Sequence, residues 1–284
     1  MKIIKTVADM QATSETVRLN GKRIAVVPTM GALHEGHLSL VKLAKASADV
    51  VIMTIFVNPL QFGPSEDLAK YPRPFERDAA LAQAEGVDYL FNPSPDEIYG
   101  KNFQTYVSVE SVSQELEGAI RPGHFRGVST VVTKFFNITK PHCAVFGEKD
   151  AQQLAVIKRM VRDLNADIEI IPAPIVRESD GLALSSRNIY LNPEERQQAT
   201  VLYKAIQLAS QKIKSGARSS EGLVSHLSSY IVETSPLAKI DYIAVVDAET
   251  FEPIKKLERE KEYLLLLTVK FGQTRLLDNW RFTL

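Results

Sequence analysis

Short apolar runs alternate along the first 175 residues with segments in which apolar residues recur at helical spacing. Five runs have the length of strands, and the one at 50–57 is almost unbroken and rich in β-branched residues, as is typical of a parallel strand covered on both faces. They lie at 24–27, 50–57, 87–91, 143–146 and 168–171. Helical spacing is clear over 38–48, and we predict further helices over about 8–20 and 75–85. The alternation predicts an α/β fold with a doubly wound, Rossmann-like parallel sheet.

The rest of the chain follows a different pattern. Two helical segments, at about 193–215 and 220–234, precede three apolar runs typical of strands. Those runs lie at 240–246, 263–269 and 274–278. Helices followed by strands indicate a smaller α+β domain. We therefore predict a first domain over 1–175 and a C-terminal domain over 176–284.

Composition excludes several classes of function. Lys+Arg and Asp+Glu both number 34, so the net charge of +0 gives no reason to expect nucleic acid or an anionic membrane as the main partner. The apolar runs are far shorter than a membrane span, and the start of the chain does not have the pattern of a signal peptide. Cys143 is the single cysteine, which rules out an internal disulfide and fits a reducing compartment such as the cytoplasm.

The stretch 28–37, Pro-Thr-Met-Gly-Ala-Leu-His-Glu-Gly-His, joins the first predicted strand to a helix. Gly31 and Gly36 let the backbone bend and approach a ligand, and the free N–H groups of a helix start suit a phosphate. His34 and His37 can donate hydrogen bonds to a polyphosphate whose charge grows during a reaction. We therefore predict an ATP site. Zinc is disfavoured, and no metal ligand is predicted, because the histidines lack the i,i+4 spacing of His-Glu-x-x-His.

Polar residues also follow two other predicted strands, at the edge where ligands collect in open α/β sheets. Gln61 can hold a hydroxyl or carboxylate of a second substrate, although an ordinary loop glutamine is an equal alternative. Lys149 offers a point charge for phosphate, and Asp150 can cap a helix or accept a ribose hydroxyl. Gln153 lies one helical turn further and is expected to point to the same edge.

Three connecting segments have compositions that suggest a role. The polar, proline-rich connection 64–78 is long enough to act as a lid. Arg121 and Arg126 flank a glycine–histidine turn and can reach an anion, although exposed arginines usually bind nothing specific. The hydroxyl-rich stretch 176–188 suits a mobile loop that closes over a triphosphate.

Four of these stretches occur together in a fixed order. They are 28–37, Phe-Val-Asn-Pro-Leu-Gln-Phe at 56–62, Gly-Glu-Lys-Asp at 147–150 followed by Gln153, and Leu-Ser-Ser-Arg-Asn at 184–188. Through them the chain resembles, over nearly its full length, the pantothenate synthetase family of pantoate–β-alanine ligases, within the His-x-Gly-His nucleotidylyltransferase superfamily. Ala151 departs from the family pattern, in which an aromatic residue is expected. It bears on the shape of the pocket and not on the chemistry.

The resemblance implies a ligase of pantothenate (vitamin B5) and coenzyme A biosynthesis. Such an enzyme condenses pantoate with β-alanine and converts ATP to AMP and pyrophosphate through an enzyme-bound pantoyl adenylate. Mg²⁺ would be carried on the phosphates of ATP, with no protein ligand named. The resemblance also implies a cytoplasmic homodimer whose partners are these small molecules.

The resemblance assigns site residues by position. The first domain would bind ATP and pantoate, and the second would close over the active site. The residues implied for ATP are Met30, Gly31, Ala32, Leu33, His34, Glu35, Gly36, His37, Gly147, Glu148, Lys149, Asp150, Val176, Leu184, Ser185, Ser186 and Arg187. Among them the catalytic residues would be His37 as the acid, with His34, Lys149, Ser186 and Arg187. Gln61 and Gln153 would hold pantoate, and Gln61 would also contact β-alanine.

Two other interpretations remain open. A related nucleotidylyltransferase would stop at an adenylylated product, and Gln61 and Gln153 argue against that. A catalytically silent nucleotide-binding or scaffold protein would be expected to lack a histidine of the motif, Lys149 or Arg187. All of these residues are present.

Overall fold

The computed structural model describes residues 1–64, 66 and 68–284, so Ser65 and Asp67 of the predicted lid lie outside the described residues. The described chain forms two compact units. The first comprises Met1–Glu148 and Gln152–Pro174, and the second comprises Lys149–Ala151 and Ile175–Leu284. The roles predicted for the two domains stay predictions.

The first unit is built on a six-stranded parallel sheet. Its strands are β1 (Lys2–Ile4), β2 (Ile24–Thr29), β3 (Val50–Ile55), β4 (Tyr89–Phe91), β5 (Cys143–Gly147) and β6 (Glu169–Ala173). The strand order is β1-β4-β3-β2-β5-β6, and every described pairing is parallel. The order reverses at β2, which pairs with β3 on one side and β5 on the other. Ligands of doubly wound folds bind at this reversal, outside the carboxyl ends of the strands.

Helices cover both faces of this sheet, because the strands are apolar on both. Ile24 and Val26 of β2 face one core, and Ala25 and Val27 face the other. The helices of this unit are α1 (Val7–Leu19), α2 (Glu35–Ser47), α3 (Phe75–Ala84), α4 (Pro95–Tyr99), α5 (Glu117–Ile120), α6 (His124–Thr139) and α7 (Ala151–Asp163). Side chains of α1, α6 and α7 fill one core, and those of α2 and α3 fill the other. The predicted α/β class with a parallel sheet is confirmed.

The second unit is α+β, as predicted. Its helices are α8 (Pro193–Gln198), α9 (Val201–Lys214) and α10 (Ser220–Thr234), and its strands are β7 (Ala238–Asp247), β8 (Glu262–Phe271) and β9 (Thr274–Thr283). The strands form an antiparallel sheet in the order β7-β8-β9. One hydrophobic core joins the helices to the sheet, with Leu202, Leu227 and Leu265 at most 1% exposed.

The structure differs from the sequence prediction in several elements. The single helix predicted over 193–215 is interrupted at Ala199–Thr200, where α8 ends and α9 begins. Strand β9 continues to Thr283, five residues beyond the predicted end. The edge strand β1 and helices α4, α5 and α6 were not predicted. No helix among the described residues is both long and apolar enough to cross a bilayer.

Candidate active site

The two histidines of the 28–37 stretch shape the start of α2. His34 is the N-cap, and its Nδ1 accepts the Gly36 N–H at 3.2 Å. His37 lies one turn later, and its Nδ1 accepts the His34 N–H at 3.3 Å. Each ring therefore satisfies an N–H group that has no partner inside the helix, which is the arrangement of a capping box. The ring centroids are 4.1 Å apart, so the structure brings the predicted pair together.

These hydrogen bonds also decide which ring nitrogen can donate. An Nδ1 atom that accepts a hydrogen bond carries no proton, so the proton of each neutral ring is on Nε2. His34 and His37 thus each carry their ring proton on Nε2, at the positive end of the α2 dipole. Such a pair suits an anion better than a cation, since a metal needs an unprotonated nitrogen.

The backbone between β2 and α2 is held by a carboxylate that the sequence analysis did not single out. Asp78 of α3 accepts the N–H groups of Ala32 at 2.7 Å and Leu33 at 2.8 Å. It is 1% exposed, and this burial raises its pKa against the opposing effect of the two backbone donors. Gly31 has φ +83°, and a Cβ there would lie 2.9 Å from the Asp78 carboxylate. A glycine is therefore required for this close approach.

Gln61 belongs to the same carboxyl edge as Met30. It is 8% exposed and ends a 3-10 helix over Pro59–Gln61 that follows β3. Its Oε1 accepts a hydrogen bond from Asn58 Nδ2 at 3.1 Å, and its Nε2 lies 3.2 Å from the Met30 sulfur. Gln61 is thus buried and its amide is held by hydrogen bonds, and its role as a substrate contact stays a prediction.

Asn58 fixes the orientation of the Gln61 amide. Its Oδ1 accepts the Leu60 N–H at 3.3 Å and the Tyr99 hydroxyl at 2.5 Å, while its Nδ2 also donates to the Gly127 carbonyl at 3.1 Å. A backbone donor on one side and a backbone acceptor on the other exclude a flipped Asn58 amide. Gln61 consequently uses its oxygen internally and directs its NH₂ group to the Met30 side. A ligand at this amide must offer an acceptor, as a carboxylate or hydroxyl does.

The predicted anion site at Arg121 and Arg126 is occupied by protein groups. Arg121 makes a two-pronged ion pair with Glu66, at 2.7 and 2.8 Å. Arg126 stacks over the Tyr106 ring, 3.9 Å from its centroid. The turn between the arginines instead supports the Gln61 backbone, because His124 Nδ1 lies 2.8 Å from the Gln61 carbonyl oxygen.

His124 is buried in its neutral form. Burial, together with the nearby Arg121 guanidinium, lowers the pKa of His124 to about 4. The ring donates Nδ1–H to the Gln61 carbonyl, and its Nε2 faces Arg121 Nη1 at 3.1 Å and accepts from it. A second proton on Nε2 would therefore place a positive charge against the Arg121 guanidinium. His124 thus supports the Gln61 turn in its neutral form.

We expect His124 to make the folded state sensitive to acid. Between pH 6.5 and about 4 the unfolded chain binds a proton at this residue and the folded chain does not, so the free energy of unfolding falls by about 1.4 kcal/mol per pH unit. Above and below that window the contribution is constant. In His124→Gln this part of the slope should disappear, as measured by urea unfolding at pH 4.5, 5.5 and 7. His226→Gln on α10 is the matched control, because His226 is exposed; an equal change in slope for both variants would contradict the expectation.

The β5 edge contributes the third predicted segment. Gly147 ends β5, and a Cβ built on it would meet nothing within 4 Å among the described residues. Gln153 lies half-buried in the first turn of α7. The neighbouring Gln152, which was not predicted, is buried and structural: its amide donates to the carbonyls of Val112 and Glu115 and accepts the Glu117 N–H.

The remaining predicted residues belong to the second unit. Lys149 and Asp150 lie in a 3-10 helix over Glu148–Asp150, with Lys149 Nζ 3.4 Å from the Asp150 carboxylate. Val176 opens a short hairpin in which its carbonyl accepts the Leu184 N–H at 2.9 Å. Ser185 then caps a 3-10 helix over Ser186–Tyr190 by accepting the Arg187 N–H at 3.2 Å. The predicted closing loop is thus a structured hairpin and helical turn within this unit.

A comparison with known families decides the identity. A family model for pantoate-beta-alanine ligase matches residues 2–281. The chain belongs to the pantoate–β-alanine ligase family. The predicted resemblance and the predicted enzyme class are confirmed.

Curated members of this family are similar along their whole length. The pantothenate synthetase of Chloroherpeton thalassium is 63% identical over 285 residues and covers 100% of both chains. That of Chlorobaculum tepidum is 56% identical over 282 residues and covers 99% of both. The crystal structure of pantothenate synthetase from Thermus thermophilus has a TM-score of 0.91 at 43% identity and covers 99% of both chains. A Francisella tularensis pantoate-beta-alanine ligase, complexed with beta-gamma ATP and beta-alanine, has a TM-score of 0.81 at 36% identity and covers 99% of this chain and 97% of that chain.

The described part of this pantoate–β-alanine ligase contains no group of three His, Cys, Asp or Glu residues placed to hold a metal ion. Asp78, the acidic residue that binds the predicted nucleotide loop, uses both carboxylate oxygens on backbone N–H groups. The described protein groups therefore do not form a metal cage by themselves.

Proposed function

We propose that this chain condenses pantoate with β-alanine in two steps at one site. In the first, a pantoate carboxylate oxygen attacks the α-phosphorus of ATP, the bond to the bridging oxygen breaks, and pyrophosphate leaves. In the second, the β-alanine amine attacks the acyl carbonyl of pantoyl adenylate and loses a proton, and AMP departs with the bonding electrons. The family match over residues 2–281 is the observation that carries the proposal.

The ATP-binding part of the proposal rests on hydrogen-bond donors at the start of α2. His34 and His37 each carry an Nε2–H group at the start of α2, at the positive end of the helix dipole, whereas the His34 and Gly36 N–H groups are already bonded to the two rings. We assign the triphosphate to this loop with Lys149, Ser186 and Arg187, the ribose to the segment 147–150, and the adenine to Val176. No covalent bond to the enzyme is required, so positioning and electrostatic stabilisation of the leaving pyrophosphate supply the catalysis.

The acid-binding part rests on Gln61. Asn58 binds the oxygen of the Gln61 amide and leaves its NH₂ group to face a ligand. The amide cannot turn its oxygen outward without breaking the hydrogen bonds of Asn58. We assign the carboxylate or hydroxyl of pantoate to Gln61 and Gln153, and β-alanine to Gln61 after the adenylate has formed. Both acids offer the acceptor oxygens that the fixed amide requires.

Three further properties belong to the proposal. Mg²⁺ enters with ATP and is held by the phosphates, so it requires no cage of protein ligands. The described residues form no such cage. The enzyme works as a cytoplasmic homodimer, as the family resemblance implies. The C-terminal domain closes over the nucleotide during turnover, because it carries the segment 184–187 that the family resemblance assigns to ATP.

We expect pantoate alone to support exchange of labelled pyrophosphate into ATP, and AMP formation to require both pantoate and β-alanine. The reason is that the first step is reversible while the adenylate is bound, whereas AMP leaves only after the amine has attacked. The measurement supplies ATP with pantoate, with β-alanine, and with both. AMP that formed equally fast without any amine would indicate a nucleotidylyltransferase or a hydrolase and would overturn the ligase proposal.

A further inference from the structure

A buried polar network in the second unit ends on the backbone of Lys149. Asn279 of β9 donates its Nδ2–H to the Lys149 carbonyl at 2.8 Å. The Asn279 N–H in turn binds the Asp278 carboxylate at 2.8 Å. Asn279 is 5% exposed and Asp278 is 2% exposed, so both are shielded from water. A hydrogen bond in such surroundings has little competition from solvent.

The network continues from Asp278 to the hairpin that starts at Val176. Arg177 donates a hydrogen bond from each Nη atom to the Asp278 carboxylate, at 2.6 and 2.9 Å. It also donates to the Gly181 carbonyl at 3.0 Å. Its guanidinium lies 4.5 Å from the centroid of the Tyr203 ring. A two-pronged pair that is packed against an aromatic ring has one geometry, unlike a solvated ion pair.

The network also interacts with the charged side chain of Lys149, in addition to the hydrogen bond to its backbone carbonyl. Burial raises the pKa of Asp278, and the Arg177 guanidinium and the Lys149 ammonium oppose that effect. The Lys149 ammonium is thus close enough to interact with the buried carboxylate, while its own side chain is 20% exposed. The three residues Lys149–Ala151 also group with the second unit, although Glu148 and Gln152 on either side group with the first.

We propose that Asn279 is a positioning residue for Lys149, with Asp278 and Arg177 holding Asn279 in place. The inference rests on the proposed function, in which Lys149 stabilises the departing pyrophosphate. Lys149 lies in the 3-10 turn that directly precedes α7, and the hydrogen bond to its carbonyl fixes the backbone from which its side chain extends. Strand β9 supplies that hydrogen bond from 130 residues away in the chain.

The test is a double-mutant cycle on the first half-reaction. Asn279→Ala, Lys149→Ala and the double variant are mixed with ATP and pantoate, and pyrophosphate release is followed in a single turnover. In the wild-type background, loss of Asn279 should slow release roughly 10-fold, since small misplacements of a catalytic group reduce rates strongly. In the Lys149→Ala background the same change should alter the rate less than about 2-fold, because no ammonium remains to be positioned.

Thr283→Ala is the matched control on the same strand, where the side chain is exposed; it should change neither background. If Asn279→Ala does not fold, Asn279→Ser removes the same amide and enters the same cycle. An equal slowing by the Asn279 change in both backgrounds would mean a merely structural role and would overturn the inference. A wild type that releases no pyrophosphate with pantoate would instead overturn the proposed function, and the inference with it.

Discussion

His37→Ala and Lys149→Ala are expected to bind ATP nearly as well as the wild type and to lose adenylate formation by a factor of about 10² to 10³. Each residue is proposed to stabilise charge that builds only as pyrophosphate leaves, so it contributes to the transition state more than to the bound substrate. Single-turnover pyrophosphate release and calorimetric ATP binding on each variant measure the two effects separately.

The second half-reaction is the control for these variants. When isolated pantoyl adenylate is supplied with β-alanine, no pyrophosphate leaves, so this step should be impaired far less. A modest loss of stability, about 1 kcal/mol, is expected in His37→Ala because its ring accepts the His34 N–H at the start of α2. A fall of both half-reactions by one factor would show that the residues shape the whole pocket and do not assist the departure of pyrophosphate.

Local sequence patterns predicted the parts of this molecule that depend on neighbours in the chain. The strands were predictable because β2 and β3 are apolar on both faces, as a covered parallel strand must be. The histidine pair was predictable because His34 and His37 make their capping bonds within four residues. Helix α6 was missed although its apolar residues recur with a helical period, because it is rich in β-branched residues, which favour strands.

The supports of the candidate site could not be predicted, because they come from distant parts of the chain. Asp78 binds an N–H group 46 residues away, and Asn279 binds a carbonyl 130 residues away. Neither residue belongs to a local motif, and an acidic residue in a polar connection or an asparagine in a strand is ordinary. The sequence identifies the groups proposed to meet the substrate, whereas the groups that aim them follow from the fold.

Gly127 is one of these supports, and its replacement by alanine tests how tightly the Gln61 turn is held. A Cβ at Gly127 would lie 2.3 Å from the Leu60 oxygen and 2.7 Å from the Gln61 nitrogen. Both are backbone atoms, so α6 and the 3-10 helix must move apart. We expect Gly127→Ala to lose about 1–3 kcal/mol of stability to overpacking. The displaced Gln61 should lower kcat/KM for pantoate by up to about 10²-fold.

Gly222 in α10 is the matched control, because it is also a helical glycine near a helix start. A Cβ there would lie 3.4 Å from the Ser219 hydroxyl oxygen, an ordinary contact with a side chain, so Gly222→Ala should stabilise the protein by up to about 1 kcal/mol. Replacing glycine by alanine is thus expected to lower the free energy of unfolding at Gly127 and to raise it at Gly222, as measured by urea unfolding. In Gly127→Ala the KM for ATP should change much less than the KM for pantoate. The reason is that the capping bonds of His34 and His37 are made within residues 34–37 and do not involve the displaced turn. Unchanged stability and an unchanged KM for pantoate in Gly127→Ala would show that the turn adapts, and that α6 does not position Gln61.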